Sequence, residues 1–442
     1  MALSPLLTDL YQLTMLYAYF KSGKTQTVSF ELFVRELPKN RNYLVFAGLR
    51  DVVNFIENLS FSKEDIDYLY SLNLFPDDFL DFLKDFRFTG NLWALKEGEI
   101  FFQCEPVLRV EAPIYEAQLL ETALMNQVHV ASLLASKGAR IYSVSKGKAL
   151  ADFSLRRTHG SDAGMKAAYS SYLVGFVGTS NVLAGKELKI PVIGTVAHSF
   201  IMAFENEKEA FKAYLKAFPD RGILLIDTYD TLMGLKNAIE ASRETGIPLK
   251  GVRLDSGDVV ELSKKVREIL NEEGFKDCKI IVSGGLDEYE IDKILKEGAP
   301  VDAFGVGTKF GTSSDSPYID FVYKLVEFDG RPVMKTSSGK EMFPGRKQVY
   351  RQSEKDLITL WDEKGEGEPL LEKVIEGGNL IKRLPTLKES REYFLDRFNS
   401  IPQELKNIYV EKEYPVYFSK ELLKLKRELE KEIKEIKWKG RK

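Results

Sequence analysis

Seven short apolar runs, each ending in small and polar residues, constrain the fold of residues 148–311 more than any other feature of the chain. Helical segments separate several of these runs, and buried strands joined by helical crossovers form a parallel sheet. So many repeats in this stretch predict a closed or nearly closed α/β barrel. An open, doubly wound sheet is the alternative, with its binding crevice at the same strand ends. The run ends are DFSLRRTHG (152–160), VGFVGTSN (174–181), VIGTVAHS (192–199), LLIDTYDT (224–231), GVRLDSGD (251–258), IIVSGGLD (280–287) and AFGVGTKFG (303–311).

The residue types at these run ends indicate a phosphorylated ligand. Glycine lets the backbone approach an anion closely, and helix N-termini after the turns add partial positive charge. Aspartates supply the hard oxygen ligands that suit Mg²⁺, which usually also binds substrate phosphates. The pattern therefore favours a phosphorylated sugar with a metal ion. The residues concerned are the turns 178–180, 283–285 and 305–308, the cations Arg156, Arg157, Arg253 and Lys309, and the acids Asp227, Asp230, Asp255 and Asp258.

His198 is one of three histidines and follows the apolar run at 190–193. That position places it on the face where a barrel enzyme carries its active site. Neutral imidazole, the main form near pH 7, is a capable nucleophile. The alternative is a core histidine with its ring nitrogens capped. His129, on a helix predicted over 116–136, is interpreted as a packing or surface residue.

Length and composition narrow the function classes. A chain of 442 residues is expected to form two or three domains. Its net charge of −3 provides no field that attracts nucleic acid over the whole surface. Cys104 and Cys278 exclude a Cys₄ zinc site and argue against a disulfide framework, which favours the cytoplasm. No apolar stretch approaches the roughly 18 residues of a membrane span, and the N-terminus does not resemble a signal peptide.

Two further segments have clear periodicity. The aromatic block DYLYSLNLFPDDFLDFLKDF (67–86) has helical spacing, and Pro76 is predicted to divide it into two helices. Near the C-terminus, apolar residues three and four apart predict an amphipathic helix with a basic, solvated face. Trp438 is its only aromatic residue, which disfavours a role in nucleic-acid binding. The apolar positions are Leu422, Leu425, Leu429, Ile433 and Ile436.

Seven motifs along the chain resemble those of the nicotinate phosphoribosyltransferase family and occur in the same order. The resemblance implies a type II phosphoribosyltransferase, with an irregular parallel α/β barrel packed with an N-terminal α/β sandwich domain. The expected domains are the sandwich with an N-terminal arm at a dimer interface (1–138), the catalytic barrel (139–325), and a segment returning to the sandwich and ending in the basic helix (326–442). The motifs are LLTDLYQLTM (6–15), FSLRRTHG (153–160), GTSNVLAG (178–185), GTVAHS (194–199), VRLDSGD (252–258), SGGLDE (283–288) and GRKQVYR (345–351).

The resemblance also implies a reaction and its catalytic residues. Nicotinate and phosphoribosyl pyrophosphate (PRPP) give nicotinate mononucleotide and pyrophosphate in NAD salvage, with coupled hydrolysis of ATP to ADP and phosphate. His198 is then the residue that ATP phosphorylates. Asp227 orients its ring by accepting a hydrogen bond from the other ring nitrogen. Asp255 lies near the ribose and near Mg²⁺, which is held through the substrate phosphates.

Substrate-binding roles carry over in the same way. Phe153 stacks on the nicotinate ring, and Tyr11 of the neighbouring subunit stacks on its other face, with Asp9 near the same site. A homodimer with shared active sites is implied. Ser180 stands where nicotinamide-using relatives have an aspartate, and it favours a substrate that carries a carboxylate. The remaining implied contacts are Arg156 and Arg253 with the ligands, and Gly284, Gly285, Gly307 and Thr308 with the 5′-phosphate.

Three hypotheses remain at this point. The first is the ATP-coupled nicotinate enzyme. The second is a related transferase that uses nicotinamide or quinolinate, which Ser180 and the GTVAHS loop disfavour. The third is a catalytically silent barrel that serves as a binding protein, which the presence of His198, Arg253 and Asp255 disfavours. For each arginine, a surface ion pair is the simpler interpretation.

Overall fold

The computed structural model describes residues 4–336 and 342–439, with the side chains of 436–439, and so of Ile436 and Trp438, outside the description. The chain divides into two compact units. We call Leu134–Pro317 with Lys406–Tyr409 the central unit, and Met1–Leu133, Tyr318–Leu405 and Val410–Lys442 the flanking unit. In the described residues no helix has both the length and the apolar character needed to cross a bilayer.

The N-terminal part of the chain alternates helices and strands. Pro76 lies between two helices of the aromatic block, as predicted, and is the N-cap residue of the second. The elements are α1 (Leu10–Lys21), β1 (Thr27–Val34), β2 (Leu44–Val45), α2 (Leu49–Glu57), α3 (Lys63–Ser71), α4 (Asp77–Lys84), β3 (Asn91–Ala94), β4 (Ile100–Phe101), β5 (Leu108–Pro113), α5 (Ile114–Leu119) and α6 (Glu121–Val144).

The central unit contains strands at six of the seven predicted apolar runs. Short 3₁₀ turns at Leu155–Arg157 and Pro219–Arg221 interrupt the regular elements. The elements are β6 (Ala149–Asp152), α7 (Ser161–Leu173), β7 (Gly178–Thr179), α8 (Val182–Leu188), α9 (His198–Met202), α10 (Glu207–Ala217), β8 (Ile223–Leu225), α11 (Thr231–Thr245), β9 (Gly251–Leu254), α12 (Val259–Glu272), β10 (Lys279–Ser283), α13 (Glu288–Lys296), β11 (Ala303–Val306) and α14 (Thr308–Gly311).

The C-terminal part returns to the flanking unit. The predicted amphipathic helix is present as the last element, with Leu422 fully buried and most of its described polar positions exposed. The elements are β12 (Phe321–Phe328), β13 (Arg331–Pro332), β14 (Lys347–Arg351), β15 (Asp356–Leu360), β16 (Glu368–Pro369), β17 (Glu372–Glu376), β18 (Asn379–Leu380), α15 (Leu387–Ser400), β19 (Val416–Phe418) and α16 (Lys420–Lys439).

The sheet of the central unit is parallel throughout, with the order β7-β6-β11-β10-β9-β8. Most residues of its strands are apolar and buried, as is typical of a parallel sheet. The predicted run at 190–193 adds a single parallel bridge, from Thr179 to Val192. Pro191 has no N–H to donate, which limits a longer ladder there. The α/β class is confirmed. In the described residues no strand pairing joins β8 to β7 or to the bridge at Val192, so no closed barrel forms.

The flanking unit is built on a seven-stranded antiparallel sheet, with the order β13-β12-β1-β5-β3-β17-β18. Apolar residues of this sheet and of α1–α4 form one buried cluster, which makes a helix-on-sheet core. A four-stranded sheet (β16-β14-β15-β19) and the pair β2-β4 complete it. His129 is partly buried here, and its Nε2 accepts a hydrogen bond from the Ile319 N–H at 3.0 Å. This contact agrees with its interpretation as a packing residue.

Candidate active site

The carboxyl ends of the parallel strands bring several predicted residues to one edge of the sheet. Phe153 follows β6, and its N–H donates to the Val306 carbonyl at 2.7 Å. Its ring lies over Gly305, where an added Cβ would come within 2.4 Å of a ring carbon. Only glycine fits such an approach, because real Cβ atoms do not come so close to a neighbouring atom. Ser180 follows β7, half-buried, with its N–H bonded to the Asp152 carbonyl at 2.8 Å.

His198 is the first residue of α9 and is 40% exposed. Its Nδ1 lies 3.1 Å from the Thr228 hydroxyl oxygen, and its Nε2 lies 4.0 Å from Asp227 Oδ1. The predicted orienting carboxylate therefore faces the ring at a distance beyond a hydrogen bond, and a hydroxyl contacts the other nitrogen. The sequence reasoning did not assign a role to Thr228.

Asp227 is held rigidly by its second oxygen. Oδ2 accepts hydrogen bonds from the Asp255 N–H at 2.8 Å and from the Ser256 hydroxyl at 2.7 Å. Oδ1 is buried, has no hydrogen-bond partner among the described residues, and is the atom that faces His198. A buried carboxylate oxygen without a partner is costly in free energy. A small movement of the imidazole would supply the missing N–H donor.

Arg253 forms the centre of the site. Its Nε donates to Ser283 Oγ at 2.8 Å, and its Nη2 donates to Asp255 Oδ1 at 2.9 Å. Its Nη1 donates to Thr195 Oγ1 at 3.1 Å. The guanidinium carbon lies 5.7 Å from the centre of the Phe153 ring, within the range of a cation–π contact. One side chain thus connects three strand ends and the loop that precedes His198.

Asp255 is a partly exposed carboxylate with a lowered pKa. Burial raises the pKa of this group, but hydrogen bonds from Ser283 and Arg253, together with the positive charge of Arg253, outweigh burial. The Ser283 hydroxyl and Arg253 Nη2 both donate to the same oxygen, Oδ1. The carboxylate is 30% exposed. It is therefore ionised at neutral pH and accessible to a ligand.

The glycine turns after β10 and β11 lie at the carboxyl ends of these strands. Gly284 has φ +90°, and a Cβ at this position would lie 2.1 Å from the Asp255 carbonyl oxygen. Gly285 also has positive φ, at +64°. After β11, Gly307 leads into α14, which begins at Thr308. Glycine at these positions leaves room for the close approach of an anion to the backbone.

Other predicted residues stand apart from this network or have another role. Arg156 is exposed and makes no side-chain hydrogen bond or ion pair in the described part of the chain. Lys309 forms an ion pair with Asp287 at 2.8 Å. Asp230 and Asp258, considered above as metal ligands, instead accept backbone N–H bonds as the N-caps of α11 and α12.

Tyr11 and Asp9 belong to the flanking unit. Asp9 is the N-cap residue of α1 and accepts a hydrogen bond from the Thr122 hydroxyl at 2.7 Å. Tyr11 is 49% exposed on the first turn of that helix. Its pKa is raised, first by partial burial and then by the charges of Glu121 and Asp9. The phenol is therefore neutral at physiological pH, with its ring free to contact another molecule.

The structure also reveals polar residues at the strand ends that the sequence reasoning left unassigned: Asp152, Thr195 and Thr228. Each lies within a run end that was recognised. The side-chain carboxylate of Asp152 accepts three hydrogen bonds. The Thr195 hydroxyl accepts one from Arg253, and the Thr228 hydroxyl contacts the His198 ring. In the sequence, these residues are marked only by lying close to residues that were assigned a role. Nothing in the local pattern distinguishes them from ordinary turn residues.

These features define an α/β protein with a candidate active site at the carboxyl ends of parallel strands. The chain belongs to the nicotinate phosphoribosyltransferase family. Three family models match it in succession: the nicotinate phosphoribosyltransferase N-terminal domain over residues 6–129, the family core over 148–359, and the C-terminal domain over 363–426.

Individual relatives agree with this assignment. The chain is 44% identical over 412 residues to nicotinate phosphoribosyltransferase pncB2 of Mycobacterium tuberculosis, covering 91% of this chain and 89% of that protein. It resembles the crystal structure of human nicotinic acid phosphoribosyltransferase with a TM-score of 0.84 at 29% identity, over 96% and 99% of the two chains. It also resembles nicotinate-nucleotide pyrophosphorylase from Pyrococcus furiosus, with a TM-score of 0.73 at 29% identity over 89% and 95%.

Proposed function

We propose that this protein is a nicotinate phosphoribosyltransferase, which converts nicotinate and PRPP to nicotinate mononucleotide and pyrophosphate. The observation that carries the proposal is the convergence of His198, Arg253, Asp255 and Phe153 at one edge of the parallel sheet, beside glycine turns suited to phosphate. The names of the relatives support the same activity. The reaction places the enzyme in the salvage of NAD precursors.

The residues fit the charge changes of this reaction. Displacing pyrophosphate from the anomeric carbon develops positive charge on the ribose and negative charge on the leaving group. The ionised Asp255 stabilises the ribose, and the glycine turns hold the 5′-phosphate. Phe153 and Ser180 position the flat base for attack on the opposite face of the sugar. Catalysis on this account depends mainly on orientation and electrostatics, with no covalent bond from protein to ribose.

His198 is the proposed site of ATP coupling. A ring nitrogen of the neutral imidazole attacks the γ-phosphorus of ATP, ADP leaves, and a phosphohistidine forms, which water later hydrolyses to phosphate. Positive charge develops on the ring as the new bond forms. The buried, unpartnered Oδ1 of Asp227 faces the ring and stabilises that charge. Its exposed edge leaves His198 accessible to the nucleotide.

Mg²⁺ is the metal ion that the substrates bring. The described residues contain no cluster of three or more His, Cys, Asp or Glu side chains that could hold a metal ion. Asp255 accepts both of its protein hydrogen bonds at Oδ1 and is partly exposed. One carboxylate oxygen together with substrate phosphates is a usual arrangement for Mg²⁺. When bound, the ion neutralises charge on the departing pyrophosphate.

Purified protein assayed with nicotinate, nicotinamide and quinolinate, each with and without ATP, tests the proposal. We expect PRPP-dependent product from nicotinate, stimulated by ATP, and far less from the other two bases. Ser180 supports this order because it places no negative charge beside the base. Preferred use of quinolinate or nicotinamide would overturn the assignment of substrate. A rate with nicotinate that ATP does not increase would overturn the coupling.

We also propose a cytoplasmic homodimer in which the exposed Tyr11 stacks on the base in the partner's site. On this account, homodimers of Tyr11→Ala/Asp9→Ala and homodimers of His198→Ala both lack ATP-coupled activity. In a mixed dimer, which contains one subunit of each variant, both substitutions would fall in one active site and the other site would be intact. Reassembly should therefore restore up to roughly a quarter of wild-type ATP-coupled activity, since about half the dimers are mixed. No recovery in mixed dimers verified by mass spectrometry would contradict the shared site.

A further inference from the structure

We infer that Asp152, to which neither the sequence nor the family resemblance assigned a role, is the positioning residue that fixes the base-binding pair Phe153 and Ser180. The inference rests on the proposed function, in which these two residues contact the base. Asp152 is the last residue of β6 and directly precedes Phe153. Its side chain reaches across to β7, whose last residue, Thr179, directly precedes Ser180.

The carboxylate of Asp152 is fully satisfied and nearly inaccessible, with 1% of the residue exposed. Oδ1 accepts hydrogen bonds from the N–H and the hydroxyl of Ser154, at 2.9 and 2.6 Å. Oδ2 accepts one from the Thr179 hydroxyl at 2.7 Å. Three donors therefore fix both oxygens, and the bonds span the turn after β6 and the end of β7.

The backbone of Asp152 strengthens the same connection. It pairs in parallel register with Thr179 on one side and with Val306 on the other. Its carbonyl also accepts the Ser180 N–H at 2.8 Å. Ser154 is fully buried and packs against Gly311, where an added Cβ would lie 2.5 Å from the Ser154 Cβ. Phe153 is thus held between two anchored neighbours.

Such a connection is needed because β7 is short. It contains two residues, and an isolated bridge to Val192 is its contact on the outer side. A ladder of this length does little to fix the strand against sliding or tilting. The side-chain bonds from Asp152 add the restraint that the ladder lacks. The distance between the ring of Phe153 and the hydroxyl of Ser180 depends on that restraint.

A buried carboxylate at this position lowers the stability of the fold. In the described residues Asp152 makes no ion pair, although it is buried. Burial raises the pKa of Asp152 above its usual value, although hydrogen bonds from Ser154 and Thr179 oppose this. A buried anion without a cation costs free energy that an apolar residue would avoid. Such a cost is typical of a residue that serves a functional geometry.

Steady-state kinetics of variants can test this role. Asp152→Ala should raise the KM for nicotinate roughly tenfold or more, since small displacements of positioning groups have large effects. The KM for PRPP should change less than about twofold. Asp152→Asn should stay within about threefold of wild type, because its amide oxygen still accepts from Ser154 and its N–H₂ can donate to the Thr179 hydroxyl.

Thr179 offers a second pair of variants at the other end of the connection. Thr179→Val removes the hydroxyl with little change of volume and should raise the nicotinate KM in the same selective way. Thr179→Ser retains the hydroxyl and should restore wild-type behaviour. If Asp152→Ala does not fold, the comparison of Thr179→Val with Thr179→Ser tests the positioning role. Ser263→Ala is the matched control, because Ser263 is a fully buried hydroxyl of the central unit on α12.

Calorimetric binding of nicotinate separates this inference from the proposed function. Equal increases in both KM values, or an Asp152→Asn variant as impaired as Asp152→Ala, would overturn the positioning role. The first result would indicate general loss of structure, and the second a requirement for charge. If wild-type protein binds another of the three bases instead, that base becomes the probe and the same selective pattern is expected. Failure of wild type to bind any of them would overturn both proposals.

Discussion

Arg253 of the central unit and Arg351 of the flanking unit have almost equal exposure, with 13% and 11% of their side-chain surface accessible. Their partners differ. Arg351 binds Glu99 and Asp356, each at 2.6 Å, and these carboxylates are 1% and 0% exposed. Arg253 binds hydroxyl groups and Asp255, which is 30% exposed.

The difference shows that burial of an arginine does not by itself indicate its role. Around Arg351 all the charges face one another, and Arg397 adds a further bond to Glu99 at 3.1 Å. In such a closed cluster the charged groups are hardly accessible to a ligand. Its ion pairs instead fix the packing of segments that are distant in sequence. Around Arg253 the charges stay accessible at one side, next to the exposed edge of His198. An open arrangement is the one expected at a binding site.

The largest effect is expected from comparing substitutions of two histidines, His198 at the candidate active site and His129 in the packing of the flanking unit. His198→Ala should abolish ATP hydrolysis and ATP stimulation, while unfolding remains close to wild type because His198 is half-exposed. Slow, ATP-independent transfer should survive, since the contacts to sugar and base are intact. Labelling with γ-³²P ATP measures the result: acid-labile label should appear on wild type and be absent from the variant.

His129→Ala is the matched change in the flanking unit. It removes the acceptor of the buried Ile319 N–H and should cost about 1–3 kcal/mol of stability, measured by urea unfolding. Its phosphohistidine label should persist. Equal labelling of His198→Ala, or loss of label in a folded His129→Ala, would show that the two histidines are not divided in this way.

The next effect concerns the two arginines. Arg351→Met leaves Glu99 and Asp356 buried without their main cation and should destabilise the protein by about 3–5 kcal/mol in urea unfolding. Arg253→Met should cost less stability, since Asp255 reaches water, but should reduce turnover far more. Similar unfolding midpoints for both variants would contradict the distinction between closed and open clusters.

A smaller effect is expected when charge is added at the open edge. Ser180→Asp places a carboxylate beside the nicotinate carboxylate, and like charges about 4 Å apart cost a few kcal/mol in a partly buried site. The ratio of nicotinate to nicotinamide turnover should fall roughly tenfold or more. Ser180→Asn, similar in shape but neutral, is the control and should change the ratio much less. An unchanged ratio in Ser180→Asp would mean that residue 180 does not face the base.

The smallest effect concerns protonation inside the closed cluster. Burial, followed by the nearby charge of Asp356, raises the pKa of Glu105 well above its usual range, although Arg351 opposes this. A carboxyl whose pKa is raised by folding stabilises the protein below its unfolded pKa, near 4.3, and that contribution is lost as pH rises through the folded pKa.

Glu105→Gln removes this titration and retains a donor and an acceptor. The variant should therefore gain stability relative to wild type as pH rises, by about tenfold in the unfolding equilibrium constant for each unit of raised pKa. Urea unfolding between pH 4 and 9 measures the difference. A gap that stays constant over this range would contradict the prediction.

Local patterns in the sequence predicted much of this protein. Apolar runs separated by helices predicted the parallel sheet, Pro76 the break between α3 and α4, and apolar spacing the helix α16. The run before His198, which was predicted to be a strand, forms only a single bridge at Val192. The confirmed features depend on the period of side chains along one segment and on turn chemistry, which a few neighbouring residues determine.

Contacts between distant segments were decided only by the tertiary structure. Arg351 and Glu99 are 252 positions apart, and Arg109 lies between the rings of Trp93 and Trp361. The sequence gives no period that joins such residues, because their meeting depends on how whole elements pack. The same holds at the active site. The sequence determined which residues stand at the strand ends, whereas packing decided that Thr228 contacts the His198 ring, that Asp227 faces it at 4.0 Å, and that Asp152 ties β6 to β7.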